Sequence, residues 1–351
     1  MANQRRVSRQ VCVGNIKIGG NAPISVQSML NTKTVDVEGS IKQIEALQAV
    51  GCDLIRLAVP DEASCEAFGE IAKRTGLPLI ADVHYSYKLA HLALDNGAKK
   101  IRMNPGNMRD FSEIQPLARR MADMGIRVRV GVNGGSLDPK YKGMDEAKAL
   151  CESALECANV FEQCGHRDIV IAIKASDVQV NLEANRMLAK ACDYPLHIGV
   201  TEAGTLRTGL IKSAIGIGTL LSEGIGDTIR VSLSADVTEE VLAGKKILQS
   251  LGLRKSGADV VACPTCARTE IDVAWLANTL ELMTAHIEQP LKISVLGCPL
   301  NGIGEGENSD LGIAGGKEKS VILVDGKIFK MVENSSLLEE FERLLRQRIG
   351  K

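Results

Sequence analysis

Eight times over, this chain passes from a short β-rich apolar run into a stretch with helical patterning, and few folds accommodate that rhythm. The runs are PISVQSM, DLIRLAV, LPLIADVH, KKIRMNPG, RVRVGVN, DIVIAIKAS, LHIGVTEAG and TIRVSLS. Between them lie amphipathic stretches such as 40–50, 146–164 and 182–191, the spacing of βα units in a parallel sheet. Aromatic residues make up only 3% of the chain while small and branched aliphatics abound, which suits parallel strands covered by helices. Eight units predict an α/β chain built on a closed (β/α)8 barrel, with a doubly wound sheet as the alternative.

With 351 residues, the chain is longer than the roughly 250 that such a barrel uses, so a second, smaller domain is expected. The pattern places the barrel at 1–253 and the second domain at 258–351, with the polar stretch LRKSGAD (253–259) as linker and a last barrel helix over 236–251. A formal net charge of −1 gives no global basic field for nucleic acid. The most apolar late stretch, 209–221, carries Lys212 and three glycines, so no membrane span is expected. Ten cysteines scattered over a large α/β chain without a signal segment point to a reducing, cytoplasmic setting.

Polar residues fall at or just past the carboxyl end of each run, where a barrel has its mouth. In order they are Gln27 and Ser28, Arg56, Asp82 and His84, Arg102 and Asn104, Arg129 and Asn133, Lys174, Thr201 and Glu202, then Arg230 and Ser232. Five are cations, against Asp82 and Glu202 as the acids at comparable positions. Cations inside apolar strands are costly to bury unpaired, so the set calls for a multiply charged anion, and a diphosphate answers. Arginine offers such a group a planar fork, and Ser232 adds a donor. Any one of these residues alone would more simply pair with a neighbouring acid, and His84 alone would be a hydrogen-bonded core histidine. Glu202, among positive groups near a site that closes, is a candidate proton donor.

The second domain carries CPTC (Cys263, Cys266), expected to open a long helix over about 269–287, and a third cysteine, Cys298, heading the glycine-rich segment CPLNGIGE that ends at Glu305. Glycines 302, 304 and 306 suggest a tightly turning loop. Two thiolates in a CxxC with a distant third can hold an iron cluster or zinc, and Glu305 would serve as a replaceable fourth ligand. The same residues admit a structural zinc site or a thioredoxin-like dithiol. The other seven cysteines lack ligand spacing and read as small buried hydrophobes. AGGKEK lacks the full phosphate-loop pattern and reads as a plain loop. A hairpin KSVILVDGKIFKMV turning at Asp325-Gly326 and a closing helix from Ser336 complete the chain.

Taken together, GNIKIGGNAPISVQSMLNTKT, KKIRMNPGN, RVGVNGGSL, KASDV, TEAG, KSAIGIGTLLSEGIGDTIRVSLSAD, ACPTCARTE and LGCPLNGIGE closely resemble the bacterial 4-hydroxy-3-methylbut-2-enyl diphosphate synthase family nearly end to end. The resemblance implies a TIM barrel followed by a smaller α+β iron-sulfur domain like a sulfite-reductase half-domain. It implies a [4Fe-4S] cluster on Cys263, Cys266, Cys298 and Glu305. It also implies reductive opening and dehydroxylation of 2-C-methyl-D-erythritol 2,4-cyclodiphosphate, with electrons from reduced flavodoxin or ferredoxin. The five strand-end cations, Asn133 and Ser232 match family positions for the diphosphate; Glu202 and Asn301 would lie near the iron-bound substrate, with Asp82, His84, Asn104 and Thr201 lining the mouth. Family members are homodimers in which one subunit's barrel faces the other's cluster. The segment CPLNGIGE departs from the family's usual valines after the cysteine and proline before the last glycine, while Cys298 and Glu305 keep their spacing. The rival readings are a zinc-stapled barrel enzyme, such as a pterin-binding transferase, and a diphosphate-sensing module with a redox-active CPTC pair.

Overall fold

The computed structural model describes residues 4–84, 86–104, 113–254, 257–285 and 287–350. The chain divides into two compact units, Met1–Arg254 and Lys255–Lys351. The first begins with a small antiparallel hairpin, β1 (Val11–Val13) and β2 (Ile16–Ile18). Eight strands follow, each covered by a helix: β3 (Ser25–Met29), α1 (Val37–Ala49), β4 (Leu54–Ala58), α2 (Glu62–Arg74), β5 (Leu79–Asp82), α3 (Tyr87–Asp95), β6 (Lys100–Met103), α4 (Ile114–Asp123), β7 (Arg127–Asn133), α5 (Glu146–Gln163), β8 (Ile169–Lys174), α6 (Val178–Ala191), β9 (His197–Ile198), α7 (Leu206–Ser222), β10 (Thr228–Ile229) and α8 (Val237–Ser250). They pair in parallel in the order β8-β7-β6-β5-β4-β3-β10-β9, and a parallel bridge from Ile171 to Leu196 joins the two ends into a ring. All eight expected runs are strands of this TIM barrel.

Alternation along each strand sorts side chains into two cores. Ile55, Leu57, Ala81, Ile101, Val128, Val130, Ile171 and Ile173 point outward and pack under the helices. Leu54, Ile80 and Val170 point inward and form, with Val11, Val13 and Ile18 of the hairpin, a separate apolar cluster. The hairpin therefore floors the barrel. Aspartates cap the helices where the sequence offers them: Asp36, Asp61, Asp145 and Asp177 each accept from the backbone amide three residues on.

The second unit is a five-stranded mixed sheet, β11 (Ala258–Ala262), β12 (Leu291–Leu296), β13 (Leu311–Ala314), β14 (Lys319–Val324) and β15 (Lys327–Glu333), in that order. The first three strands run parallel, and the last two form the expected hairpin, with Asp325 at φ 49 and Gly326 at φ 72. Helices α9 (Val273–Thr284), α10 (Pro299–Gly306) and α11 (Leu337–Arg348) accompany the sheet, and its core includes Leu280, Ile293, Ile313, Ile322 and Phe341.

Three expectations are corrected here. CPTC does not open a helix: Cys266 and Thr269 bond each other in a turn, and the helix starts only at Val273, capped by Asp272. The segment after Cys298 is not a loop but α10, with Cys298 at its N-cap and Pro299 in its first turn, where no amide donor is required. Gly302 serves close packing rather than turning: a Cβ there would stand 2.4 Å from that of Ala314.

If the hairpin is the floor, Ile18→Ala, at a fully buried position, will lower the stability of the barrel unit by about 3 kcal/mol. Chemical denaturation followed by barrel fluorescence or exchange protection checks this; a loss below about 1 kcal/mol would mean the cluster collapses around the gap.

Candidate active site

The inward positions of the upper barrel are charged. Arg56, Arg102, Arg129 and Lys174 are all nine-tenths buried or more, and Arg230 is nearly so. A sixth cation, Lys100, lies two residues below Arg102 on β6 and is completely buried. Sequence reading passed over it because it stands at the start of its run; the alternation Lys100, Arg102, Asn104 was the available signal.

Two carboxylates serve these six cations among the described residues. Asp82 lies 3.4 Å from Arg56 Nε and 3.1 Å from Arg102 Nη1, with His84 Nε2 at 3.4 Å. Burial alone would raise the Asp82 carboxyl, but Arg56, the His84 hydrogen bond and Arg102 outweigh it and hold the group far below the usual carboxylate range. Glu240 is the other, and it comes from a helix: α8 brings it inward, where it accepts from Arg230 Nε at 3.4 Å, the Leu233 amide at 2.9 Å and Ser28 Oγ at 3.4 Å. Acids in a helix's first turn usually face water, so the sequence carried no sign of this role.

The uncompensated charge is visible in the cations themselves. Burial, offset by Asp82 and reinforced by Arg230 and Arg102, presses the Arg56 guanidinium down to about 10. Burial and then Arg56 and Arg102 lower Arg129; burial and then Arg230 and Arg129 lower Lys174. Two glycines make room for this crowd. A Cβ on Gly131 would stand 3.1 Å from Arg102 Nε, and one on Gly199 would stand 2.7 Å from Lys174 Nζ and 2.4 Å from the Arg230 carbonyl oxygen.

At the rim, Asn104 is buried and Asn133, Thr201 and Ser232 are half-buried. Glu202 is exposed and is one of three non-glycine residues with positive φ among the described residues, at 51°. Such a conformation is strained for a side chain of this kind and is worth a functional question.

In the second unit, Cys263 and Cys298 follow the ends of adjacent parallel strands, β11 and β12, and the Gly297 amide donates to Cys263 Sγ at 3.2 Å. Cys298 is buried and Cys266 exposed; a backbone hydrogen bond at Arg268 holds the Cys266 thiol below its ordinary value. Glu305 is exposed on α10, and the Asn301 side chain lies outside the described residues. Among the described residues no three His, Cys, Asp or Glu side chains converge closely enough to hold a metal ion. The donor set nonetheless suits a soft centre: three thiols, one backed by an amide donor, with one carboxylate.

Fold and site thus define a two-unit TIM-barrel protein with a strongly cationic barrel interior and a cysteine-bearing second unit. Residues 8–245 match the GcpE TIM-barrel domain and residues 259–347 the GcpE protein C-terminal domain. The chain belongs to the GcpE family. It is 50% identical over 344 residues, 97% of each chain, to a protein of Caldanaerobacter subterraneus subsp. tengcongensis named 4-hydroxy-3-methylbut-2-en-1-yl diphosphate synthase (flavodoxin). It is 44% identical to the protein of that name from Anoxybacillus flavithermus, over 97% of this chain and 94% of the other. Among solved structures, dihydropteroate synthase from Stenotrophomonas maltophilia aligns with a TM-score of 0.54 at 16% identity, covering 70% of this chain and 98% of that one. This last likeness is one of fold.

Asp82→Asn would leave its cations short of a counter-charge and is expected to cost about 3–5 kcal/mol at neutral pH. Asp82 has a lowered folded-state pKa, so its contribution is complete above about pH 4 and fades as acid approaches the folded value. The gap between the two proteins should therefore narrow below about pH 4, which denaturation at stepped pH will measure.

Proposed function

We propose that this chain makes (E)-4-hydroxy-3-methylbut-2-enyl diphosphate from 2-C-methyl-D-erythritol 2,4-cyclodiphosphate, as an iron-sulfur oxidoreductase of the methylerythritol phosphate route to isoprenoids. The observation that carries this reading is the surplus of positive charge inside the barrel, six buried or nearly buried cations against two carboxylates among the described residues. A cyclic diphosphate brings two negative charges, and opening the ring frees a terminal phosphate that takes on more. A pocket richer in cations than the ring requires therefore favours the opened form, which is differential binding of the kind that accelerates a reaction.

On this reading Arg56, Arg102, Arg129, Lys174 and Arg230 grip the diphosphate, and Asn133 and Ser232 add neutral donors. Asp82, with His84, fixes the Arg56 and Arg102 forks, and Glu240 does the same for Arg230. Asn104 and Thr201 line the mouth. Glu202 gives a proton to the departing hydroxyl; its left-handed backbone supports a role that outweighs its strain. Cys263, Cys266, Cys298 and Glu305 are the residues that would hold a [4Fe-4S] cluster, and Asn301 belongs beside it. Such a cluster, when bound, supplies electrons singly and a Lewis-acidic iron. The reaction consumes two electrons and releases water. Reduced flavodoxin, named for the relatives, or ferredoxin delivers them.

A homodimer fits the outer face of α7, where Ile211 and Ile215 are exposed beside an apolar groove lined by Leu210, Ala214, Ile247 and Leu251. Ten free cysteines accord with a reducing, cytoplasmic setting, and no helix among the described residues is long and apolar enough to cross a membrane.

Protein purified without oxygen should be brown, carry iron and sulfide, and convert the cyclic diphosphate to the allylic diphosphate when given a strong one-electron donor. A colourless zinc protein, or a brown one that leaves the substrate untouched, would overturn the reading. Glu202→Gln should lower kcat by about 10²–10⁴ with KM nearly unchanged. Equal losses in binding and turnover would remove its role as acid.

A further inference from the structure

Below the mouth, the barrel interior stays polar where branched apolar side chains ordinarily fill it. Lys100 precedes Arg102 by two residues on β6, so its side chain enters the barrel about 7 Å deeper. Its Nζ has no hydrogen-bond partner among the described residues. Neither do both side-chain amide atoms of Gln27, Nε2 of His197, or Nε and Nη1 of Arg129, all of them fully buried atoms. Gln27, Lys100, Arg129 and His197 come from four strands and stand at inward positions, level in the ladder with Leu54, Ile80, Val170 and Thr228. Charge on Lys100 and Arg129 acts on His197, and Arg129 on Lys100, so the four line one stretch of the barrel interior.

Among the described residues no acid pairs with these groups. The oxygens of Asp82 are engaged by Arg56, Arg102 and His84, and those of Glu240 by Arg230, Ser28 and the Leu233 amide. Leu54, Ile80 and Val170 stand at the same level in the ladder and form, with the hairpin, an apolar cluster beside these groups. The orphaned groups are nearly all donors: an ammonium, two guanidinium N–H positions and the amide nitrogen of Gln27. His197 joins them when its Nδ1, 3.4 Å from Thr228 Oγ1, accepts, which leaves Nε2 carrying the proton. Water both gives and accepts and would leave such a set half satisfied. A species that only accepts would satisfy it, and its charge would restore the Lys100 ammonium that burial disfavours.

We propose that Lys100, Arg129, Gln27 and His197 form an internal site for one small inorganic anion of halide size, seated one step deeper in the barrel than Arg56, Arg102 and Arg230. The site shares Arg129 with the diphosphate grip, while Lys100, Gln27 and His197 belong to it alone, so it stands whether or not the mouth binds a diphosphate.

Bromide is the probe. Crystals of the intact, cluster-bearing protein, grown without oxygen and soaked in bromide, should give an anomalous peak in contact with Lys100 Nζ. That peak should persist when inorganic pyrophosphate is added, while bromide at Arg56, Lys174 or Arg230 is displaced. Lys100→Met should erase the inner peak and Lys100→Arg retain it, and with pyrophosphate filling the mouth bromide should raise the melting temperature of the unmodified protein but not of Lys100→Met. The proposal is overturned if the unmodified protein shows no inner peak, if pyrophosphate clears the inner peak with the others, or if Lys100→Met leaves it in place. Mouth bromide that resists pyrophosphate would count against the diphosphate reading and leave the inner site standing.

Discussion

Positive charge held away from water without enough negative charge beside it is the constraint on which this barrel turns. Each guanidinium or ammonium taken out of solvent loses hydration that only an opposite charge or a set of acceptors returns. Asp82 and Glu240 return part of it, to Arg56, Arg102 and Arg230. Arg129, Lys174 and Lys100 are left depressed in basicity by burial and by the cations around them. The fold tolerates this because the ring of strands around them, with Leu57, Val130 and Ile171 locked under helices, is too well packed to open and let the charges reach solvent.

Small features of the backbone follow from the same crowding. Gly131 and Gly199 stand at inward positions where any side chain would displace Arg102 or Lys174, so their missing Cβ atoms are part of the cationic layer as much as the cations are. Glu240 has to be long enough to reach from α8 to Arg230 while also accepting from Leu233, which ties the turn after β10 to the helix that follows. Local geometry and electrostatics are here one arrangement.

The barrel was legible because strands buried on both faces read as apolar runs, and charges interrupting such runs stand out. Even β9 and β10, only two residues long as ladders, were visible through the runs that contain them. Other elements were hidden for physical reasons. The floor hairpin is six strand residues around a tight turn, too brief for periodicity to register. Strand β13 lies inside a glycine-rich segment, and α10 contains three glycines that argue for a loop; Pro299 at its start and the need for Gly302 to approach Ala314 decide otherwise. Lys100 was hidden by its place at the start of a strand, and Glu240 because helix-borne acids ordinarily face water. The cysteines could be found from spacing, but CPTC lies in an irregular stretch that local propensity does not fix.

The hairpin that closes the lower end makes the barrel a vessel with a single opening. Traffic is therefore ordered by depth: what settles lowest must arrive before anything occupies the rim, and it stays until the rim clears. A barrel open at both ends could exchange its contents through either side, whereas this one imposes a sequence on arrivals and departures by its shape alone.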